Sequence, residues 1–204
     1  MLIGIVDYGL GNIKSVKSAF EYLGHNSIIC QEETDFEKVS HIVLPGVGAF
    51  KRGMELINQK KLDNTLYNHV LIQRKPTLGI CLGLQLMAQS SREFGIHSGL
   101  SWFLGEVVKL PQIQGKRELP NIGWESIEIK KDPLFEGISN LSDFYFVHSF
   151  HLKLSDNKYS LATYDMGKEK IVAAIKKENI IATQFHPEKS QENGLKLLEN
   201  FLMM

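Results

Sequence analysis

The stretch Pro76-Thr77-Leu78-Gly79-Ile80-Cys81-Leu82-Gly83-Leu84-Gln85 decides how the rest of the chain is read. A short apolar run ends at Cys81, an amphipathic helical pattern begins directly after it, and glycines stand two positions away on both sides. That is a G-x-nucleophile-x-G turn with cysteine in the place of serine. A strand that turns sharply into a helix crowds its own backbone, so its flanks must be small, and the central side chain is left at the carboxyl edge of a sheet. The same turn sets the sulfur at a helix N-terminus, where unpaired N–H groups and the helix dipole favour thiolate over thiol. A buried cysteine packing as a small hydrophobe fits this stretch equally well. The choice falls to the residues on either side.

Upstream, residues 2–6 read as a buried strand that runs into Asp7-Tyr8-Gly9-Leu10-Gly11-Asn12, a loop whose glycines permit positive φ. Ile13, Val16, Phe20 and Leu23 recur at helical spacing, with Asn12 as N-cap and Gly24 as stop. Residues 27–30 form a second strand, with Cys30 a core residue, and 32–38 a polar connection. Residues 41–44 form a third strand, leading into Pro45-Gly46-Val47-Gly48-Ala49-Phe50. A loop so small-sided at a strand's carboxyl end either lets backbone amides approach a ligand or is simply a tight turn. Residues 54–74 are helical in composition, and Pro76 ends them before the strand that carries Cys81. The alternation over 1–90 implies a mostly parallel sheet covered on both faces.

Downstream the character changes. Residues 102–110, 123–130, 143–147, 159–164, 171–176 and 180–184 read as strands, with loops at 93–99 and 111–120 and a last helix over 191–202. An antiparallel sheet joined to the parallel one is expected. No repeat, low-complexity tract or flexible linker divides the chain, so one α/β domain over residues 1–204 is expected.

The strand at 180–184 leads through Phe185 into His186-Pro187-Glu188. If the chain stays extended, His186 and Glu188 project to the same side, and the proline biases His186 toward the extended region. A carboxylate that holds one ring nitrogen of a histidine turns the other toward a nucleophile. With Cys81 this makes a Cys-His-Glu arrangement suited to acyl transfer, and the pairing favours the nucleophile over the core sulfur. His25, His69 and His97 read as exposed and His41 as structural. His148 and His151, after the aromatic run 144–147, belong either to a pocket wall or to a packed strand. No histidine or cysteine grouping has metal-ligand spacing, so no metal is expected.

Composition narrows the classes further. The 204 residues are 43% apolar and 23% charged, with 23 basic against 23 acidic side chains. Without a basic surplus there is no case for nucleic acid. The apolar start at 1–6 lacks a basic lead and stops at Asp7, and no run is long enough to span a bilayer, so a soluble, cytosolic chain is expected. Its 2 cysteines do not make a disulfide framework.

These residues resemble the class I glutamine amidotransferases, and within them the glutaminase subunits of imidazole glycerol phosphate synthase, the HisH family. The resemblance spans nearly the whole chain through Asp7-Tyr8-Gly9-x-Gly11-Asn12, Leu44 to Phe50, Gly79-Ile80-Cys81-Leu82-Gly83, Tyr145-Phe146-Val147-His148-Ser149 and Gln184-Phe185-His186-Pro187-Glu188-Lys189-Ser190. It implies a flavodoxin-like three-layer α/β fold, a mostly parallel central sheet flanked by helices with an antiparallel sheet from the second half. It implies no cofactor. Cys81, His186 and Glu188 would form the triad, and Val47, Gly48 and Leu82 the oxyanion site. Gly48, Gln85, Ser149 and Phe150 would bind glutamine, with Gln85 one turn beyond Cys81. The partner implied is a (β/α)₈-barrel cyclase that receives the ammonia and makes imidazole glycerol phosphate and AICAR, met by a surface including Tyr8, Asn12, Asn121 and Trp124. Family members carry Pro-His-x-Gly-Trp-Asn where this chain reads Pro120-Asn121-Ile122-Gly123-Trp124-Glu125. That departure makes a paralogue supplying ammonia for surface-polysaccharide sugar amidation the nearest alternative, ahead of a non-catalytic α/β module and a stand-alone cysteine hydrolase.

Overall fold

The computed structural model describes residues 1–112 and 119–204. In the first part, strands β1 (Ile3–Val6), β2 (Ser27–Cys30), β3 (His41–Gly46) and β4 (Thr77–Cys81) alternate with helices α1 (Ile13–Tyr22), α2 (Glu33–Glu37), α3 (Phe50–Gln59) and α4 (Leu62–Leu66). Helix α5 (Leu82–Leu86) follows β4 without a break. The rest is mostly strand: β5 (Ala88–Ser91), β6 (His97–Ser98), β7 (Phe103–Lys109), β8 (Asn121–Ser126), β9 (Glu128–Ile129), β10 (Asp143–His148), β11 (Phe150–Leu154), β12 (Ser160–Met166), β13 (Glu169–Lys177) and β14 (Ile180–Thr183), closed by helix α6 (Gln191–Leu202).

An eight-stranded sheet in the order β2-β1-β3-β4-β14-β13-β12-β9 organises the molecule. Its first five strands are parallel, and β13, β12 and β9 continue it antiparallel. Strands β1, β3, β4 and β14 are buried along their whole length, as a sheet covered on both faces requires. The period of two sorts their side chains between two cores: Val43 faces one, while Ile42 and Leu44 face the other. Val16 and Phe20 of α1 and Leu197, Leu198 and Phe201 of α6 fill the first; Phe50, Ile57, Leu66 and Leu86 from α3, α4 and α5 fill the second. Each such fully buried side chain contributes about 1.5–3 kcal/mol relative to leaving it in water. The two smaller sheets, β8 with β10 and the four-stranded β11-β7-β5-β6, stand beside the main one.

Several expectations need correction. The second half does not form one antiparallel sheet. Its last strand, β14, joins the parallel set beside β4, and six strands, β5 to β8 with β10 and β11, separate into the ribbon and the smaller sheet that hold the far side of the site. Residues 32–38, expected to be a polar connection, contain α2. Glu32 and Asp35 cap it reciprocally and Phe36 is its one buried residue, too few apolar positions to show a period. The helix expected over 54–74 starts at Phe50 and is broken at Lys61, which has positive φ, then finishes in a π-helical turn, Tyr67–Ile72. That turn buries His69, expected to be exposed, against Phe36 at 5.6 Å between ring centroids. Asn12 stands at the start of α1 without capping it; its Oδ1 accepts from Ser15 Oγ at 2.9 Å. Strands β5, β6 and β11 had not been expected. The loop foreseen at 111–120 lies in large part outside the described residues. Among the described residues no helix is long and apolar enough to cross a membrane.

Candidate active site

Strand β4 ends in Cys81, held at φ +54° and ψ −105°. A non-glycine residue there is strained by about 1–3 kcal/mol and persists only where its surroundings over-determine it. The flanking glycines do so. A Cβ on Gly83 would land on the Leu44 carbonyl oxygen, and one on Gly79 would lie 2.7 Å from Met87 Cε and 3.1 Å from the Gly83 carbonyl carbon. Helix α5 is not amphipathic as expected. It is a five-residue turn buried on every side, because β3, α3 and β11 all pack around it.

Cys81 opens on a cavity of about 320 Å³. Val47, Gly48, Leu82, Gln85, Ser149, Phe150 and His186 all line it, so the elements named separately from the sequence converge there. The cavity lies at the carboxyl ends of β3, β4 and β14, where open α/β sheets place their ligands. A larger groove of about 720 Å³, around residues 129–140, offers no cysteine or histidine.

His186 is 1% exposed and keeps an extended backbone, φ −98° and ψ 95°. Its neighbours do not: Pro187–Lys189 form a 3₁₀ turn, with the proline at its first position. The histidine and Glu188 therefore meet through a tight turn rather than along a strand as expected, with Nδ1 2.8 Å from Glu188 Oε1. A carboxylate can only accept, so Nδ1 carries the hydrogen and Nε2 is the nitrogen left for chemistry. Nε2 makes no well-formed hydrogen bond of its own. Burial alone would lower the pKa of His186, but the contacts with Cys81 and Glu188 outweigh it and push it up to about 10. The ring is also anchored from behind. The His186 N–H donates to the Tyr145 carbonyl at 2.9 Å. Ser190 Oγ donates to the His186 carbonyl at 2.6 Å and accepts from the Tyr145 N–H at 3.0 Å.

Two groups of this site, Glu93 and Gln184, were not singled out from the sequence, and a third, His148, stood open between a pocket wall and a packed strand. Glu93, 9% exposed, lines the cavity and takes the Phe50 N–H on Oε2 at 2.6 Å. One carboxylate in an expected loop carries no periodic signal. His148 turns out to belong to the cavity wall: Nδ1 donates to the Phe150 carbonyl at 2.8 Å and Nε2 accepts from the Tyr164 hydroxyl at 3.1 Å. Burial first, then His151 and His186, lower its pKa to about 4, so it stays neutral. Gln184 stands beside the sulfur, its Nε2 3.7 Å from Cys81 Sγ.

The residues expected to face a partner separate. Trp124 is 45% exposed and packs edge-on against Tyr145. Asn12 is half-buried. Asn121 is buried, with Nδ2 unpartnered. Tyr8 is fully buried, and Gly46 has no Cβ to displace its hydroxyl. Burial and the nearby Cys81 sulfur push its phenol above the ordinary range.

A strained cysteine, a histidine oriented by a carboxylate and a small-sided strand-end loop around one cavity can carry out acyl transfer through a thioester. The chain belongs to the class I glutamine amidotransferases: the family model described as "Glutamine amidotransferase class-I" matches residues 4–204. A solved structure of a glutamine amidotransferase superposes with a TM-score of 0.75 at 16% identity, covering 98% of this chain and 97% of that one, which shows the shared fold. Within the class, the curated relatives place it in the HisH family, and it is a glutamine amidotransferase. Imidazole glycerol phosphate synthase subunit HisH 1 of Campylobacter jejuni is 47% identical over 201 residues, covering 98% of each chain. Subunit HisH 2 of Vibrio vulnificus is 42% identical over 204 residues, covering 99% of this chain and 94% of its own.

Proposed function

We propose that this chain is the glutaminase subunit of an imidazole glycerol phosphate synthase, with Cys81, His186 and Glu188 as its catalytic triad. The observation that carries the site reading is the His186 ring, tied to Glu188 at 2.8 Å with its other nitrogen free beside the sulfur in one cavity. Cys81 Sγ attacks the side-chain carboxamide of glutamine, and the carbonyl oxygen becomes an oxyanion. The N–H of Leu82, in the first turn of α5 and so without a helical partner, and those of the Val47–Gly48 turn are the donors for it. Removing one such donor typically costs about 10²–10³ in rate. His186 gives its proton to the departing ammonia, leaving a thioester on Cys81. It then takes a proton from water, which attacks the thioester and releases glutamate.

The substrate's charges fit the walls. Glu93 supplies an anion for the α-ammonium, and Gln85 with the Ser149–Phe150 backbone supplies polar contacts. Ammonia made here is used by a second active site, that of a (β/α)₈-barrel cyclase docked over Trp124 and Asn12. The reduced thiols and the shared biosynthetic role suit the cytosol.

The test is glutamate release by the chain, alone and with a HisF-type cyclase plus its nucleotide ligand. Wild type alone is expected to be weak and to rise strongly with the cyclase, and Cys81→Ala is expected to lose at least about 10³-fold. Undiminished turnover by Cys81→Ala sinks the mechanism. Asn121, where the family pattern has histidine, supports a second reading, ammonia supply to a sugar amidation enzyme. Stimulation only by a partner from a polysaccharide pathway decides for it.

A further inference from the structure

Gln184 lies just past β14, two residues before His186, and is 0% exposed. Its backbone N–H continues the ladder, donating to the Ala173 carbonyl at 2.8 Å. Its side chain links the substrate wall to the sulfur. Gln85 Nε2 is 2.8 Å from the Phe150 carbonyl and 3.1 Å from Gln184 Oε1, and Gln184 Nε2 is 3.7 Å from Cys81 Sγ.

The direction of this chain follows from its first link. A backbone carbonyl only accepts, so the Gln85 atom that meets it is the NH₂. The second hydrogen of that NH₂ needs an acceptor, which makes the facing atom of Gln184 its oxygen. The other end of Gln184, turned to the sulfur, is then a donor. Besides His186, the sulfur meets the Val147 carbonyl at 3.9 Å, to which only a protonated thiol can donate. When the proton leaves, that contact loses its hydrogen, while the bond from Gln184 becomes charge-assisted and stronger.

We infer that Gln184 is a positioning residue with two arms: Oε1 holds Gln85 against the Phe150 carbonyl on the substrate wall, and Nε2 holds the Cys81 sulfur and favours its charged form. The inference rests on the triad reading above. The two arms predict separable effects. An interaction that strengthens as charge develops acts on kcat, whereas one that shapes the resting pocket acts on KM. Tyr8, Glu93, His148 and His186 also border the cavity or stand near Cys81, Glu188 holds His186, and all are left unchanged in the variants.

The experiment compares Gln184→Glu with Gln184→Met in the cyclase complex. It pairs steady-state glutaminase kinetics with the pH profile of iodoacetamide inactivation of the chain, and melting by circular dichroism checks the fold. Gln184→Glu keeps an acceptor for Gln85 but removes the donor to sulfur. It is expected to lose about tenfold in kcat with KM held within about twofold, and to shift the midpoint of inactivation to higher pH. Gln184→Met removes both arms, so kcat falls about as far and KM rises about tenfold. Folded variants with wild-type kcat and an unmoved inactivation profile overturn the inference, as does a Gln184→Glu loss of kcat with no movement of that profile. If neither variant folds, Gln85→Met is expected to raise KM and slow inactivation, and unchanged inactivation overturns the inference. Full activity of Cys81→Ala would fault the triad reading instead, so the two failures are distinguishable.

Discussion

Strands β2 and β4 each end in a cysteine, and the two cysteines differ in nearly everything that matters to chemistry. Cys30 is 0% exposed at the end of an ordinary strand, packed so closely over β1 that a Cβ on Gly4 would come within 2.7 Å of its sulfur. Burial, then Asp35, push its thiol up to about 12. Cys81 is 6% exposed, also an ordinary value for a core residue, yet its backbone is turned to φ +54°, a cavity opens before it, and an amide and an imidazole stand beside it. Burial alone therefore does not separate a structural sulfur from a nucleophile. The separating features are a backbone turned away from the sheet and neighbours able to donate to the sulfur and carry its proton.

The largest expected difference lies in reactivity. At mildly alkaline pH, iodoacetamide should modify Cys81 at least about 10³-fold faster than Cys30, as counted by peptide mass spectrometry. Comparable labelling of the two would dissolve the contrast. The turn itself provides a second comparison. Gly83→Ala drives a Cβ into the Leu44 carbonyl, fixed backbone, and is expected to cost about 3–5 kcal/mol in a denaturant melt. Gly4→Ala meets only side-chain atoms of Cys30 and Val39, so a cost of about 1–3 kcal/mol is expected. Equal costs would show that the nucleophile's turn is no more constrained than the other strand's packing.

The smallest effect is on stability against pH. His186 has its pKa raised from 6.5 to about 10 in the folded chain, so the stability it contributes is fully present below pH 6.5 and is lost as pH climbs toward 10. Since Cys81 is one source of the raised value, Cys81→Ala is expected to flatten this alkaline limb, and Cys30→Ala to leave it in place. An alkaline limb identical in both variants would detach His186 from the cysteine.

The nucleophile turn was readable because its requirement is local: two glycines, an apolar run before them and a helix after them. The parallel strands were readable for the same reason, since burial on both faces leaves unbroken apolar runs. His186 and Glu188 were also legible as a pair, although the 3₁₀ turn that joins them was not. Glu93, His148 and Gln184 were not legible as a group, because what gives each a task is a neighbour 16 or more positions away, as with Glu93 and Phe50, or Gln184 and Cys81, 103 apart. Tyr8 is a contrasting case. The resemblance set it on a partner-facing surface, whereas the missing side chain of Gly46, on a different strand, leaves room for it to turn in.

The ladder between β4 and β14 pairs Ile80 with Thr183, so the next residue on each strand is Cys81 and Gln184. Moving one strand past the other by a single residue displaces His186 by about 3.3 Å along the sheet and turns every side chain of the slipped strand to the wrong face. The two halves of the chemistry thus work as vernier marks on adjacent strands. In a refolding experiment, the return of thiol reactivity coupled to His186 would time the correct seating of a strand from the end of the chain against one from its middle, an event to which bulk spectroscopy of the sheet is blind.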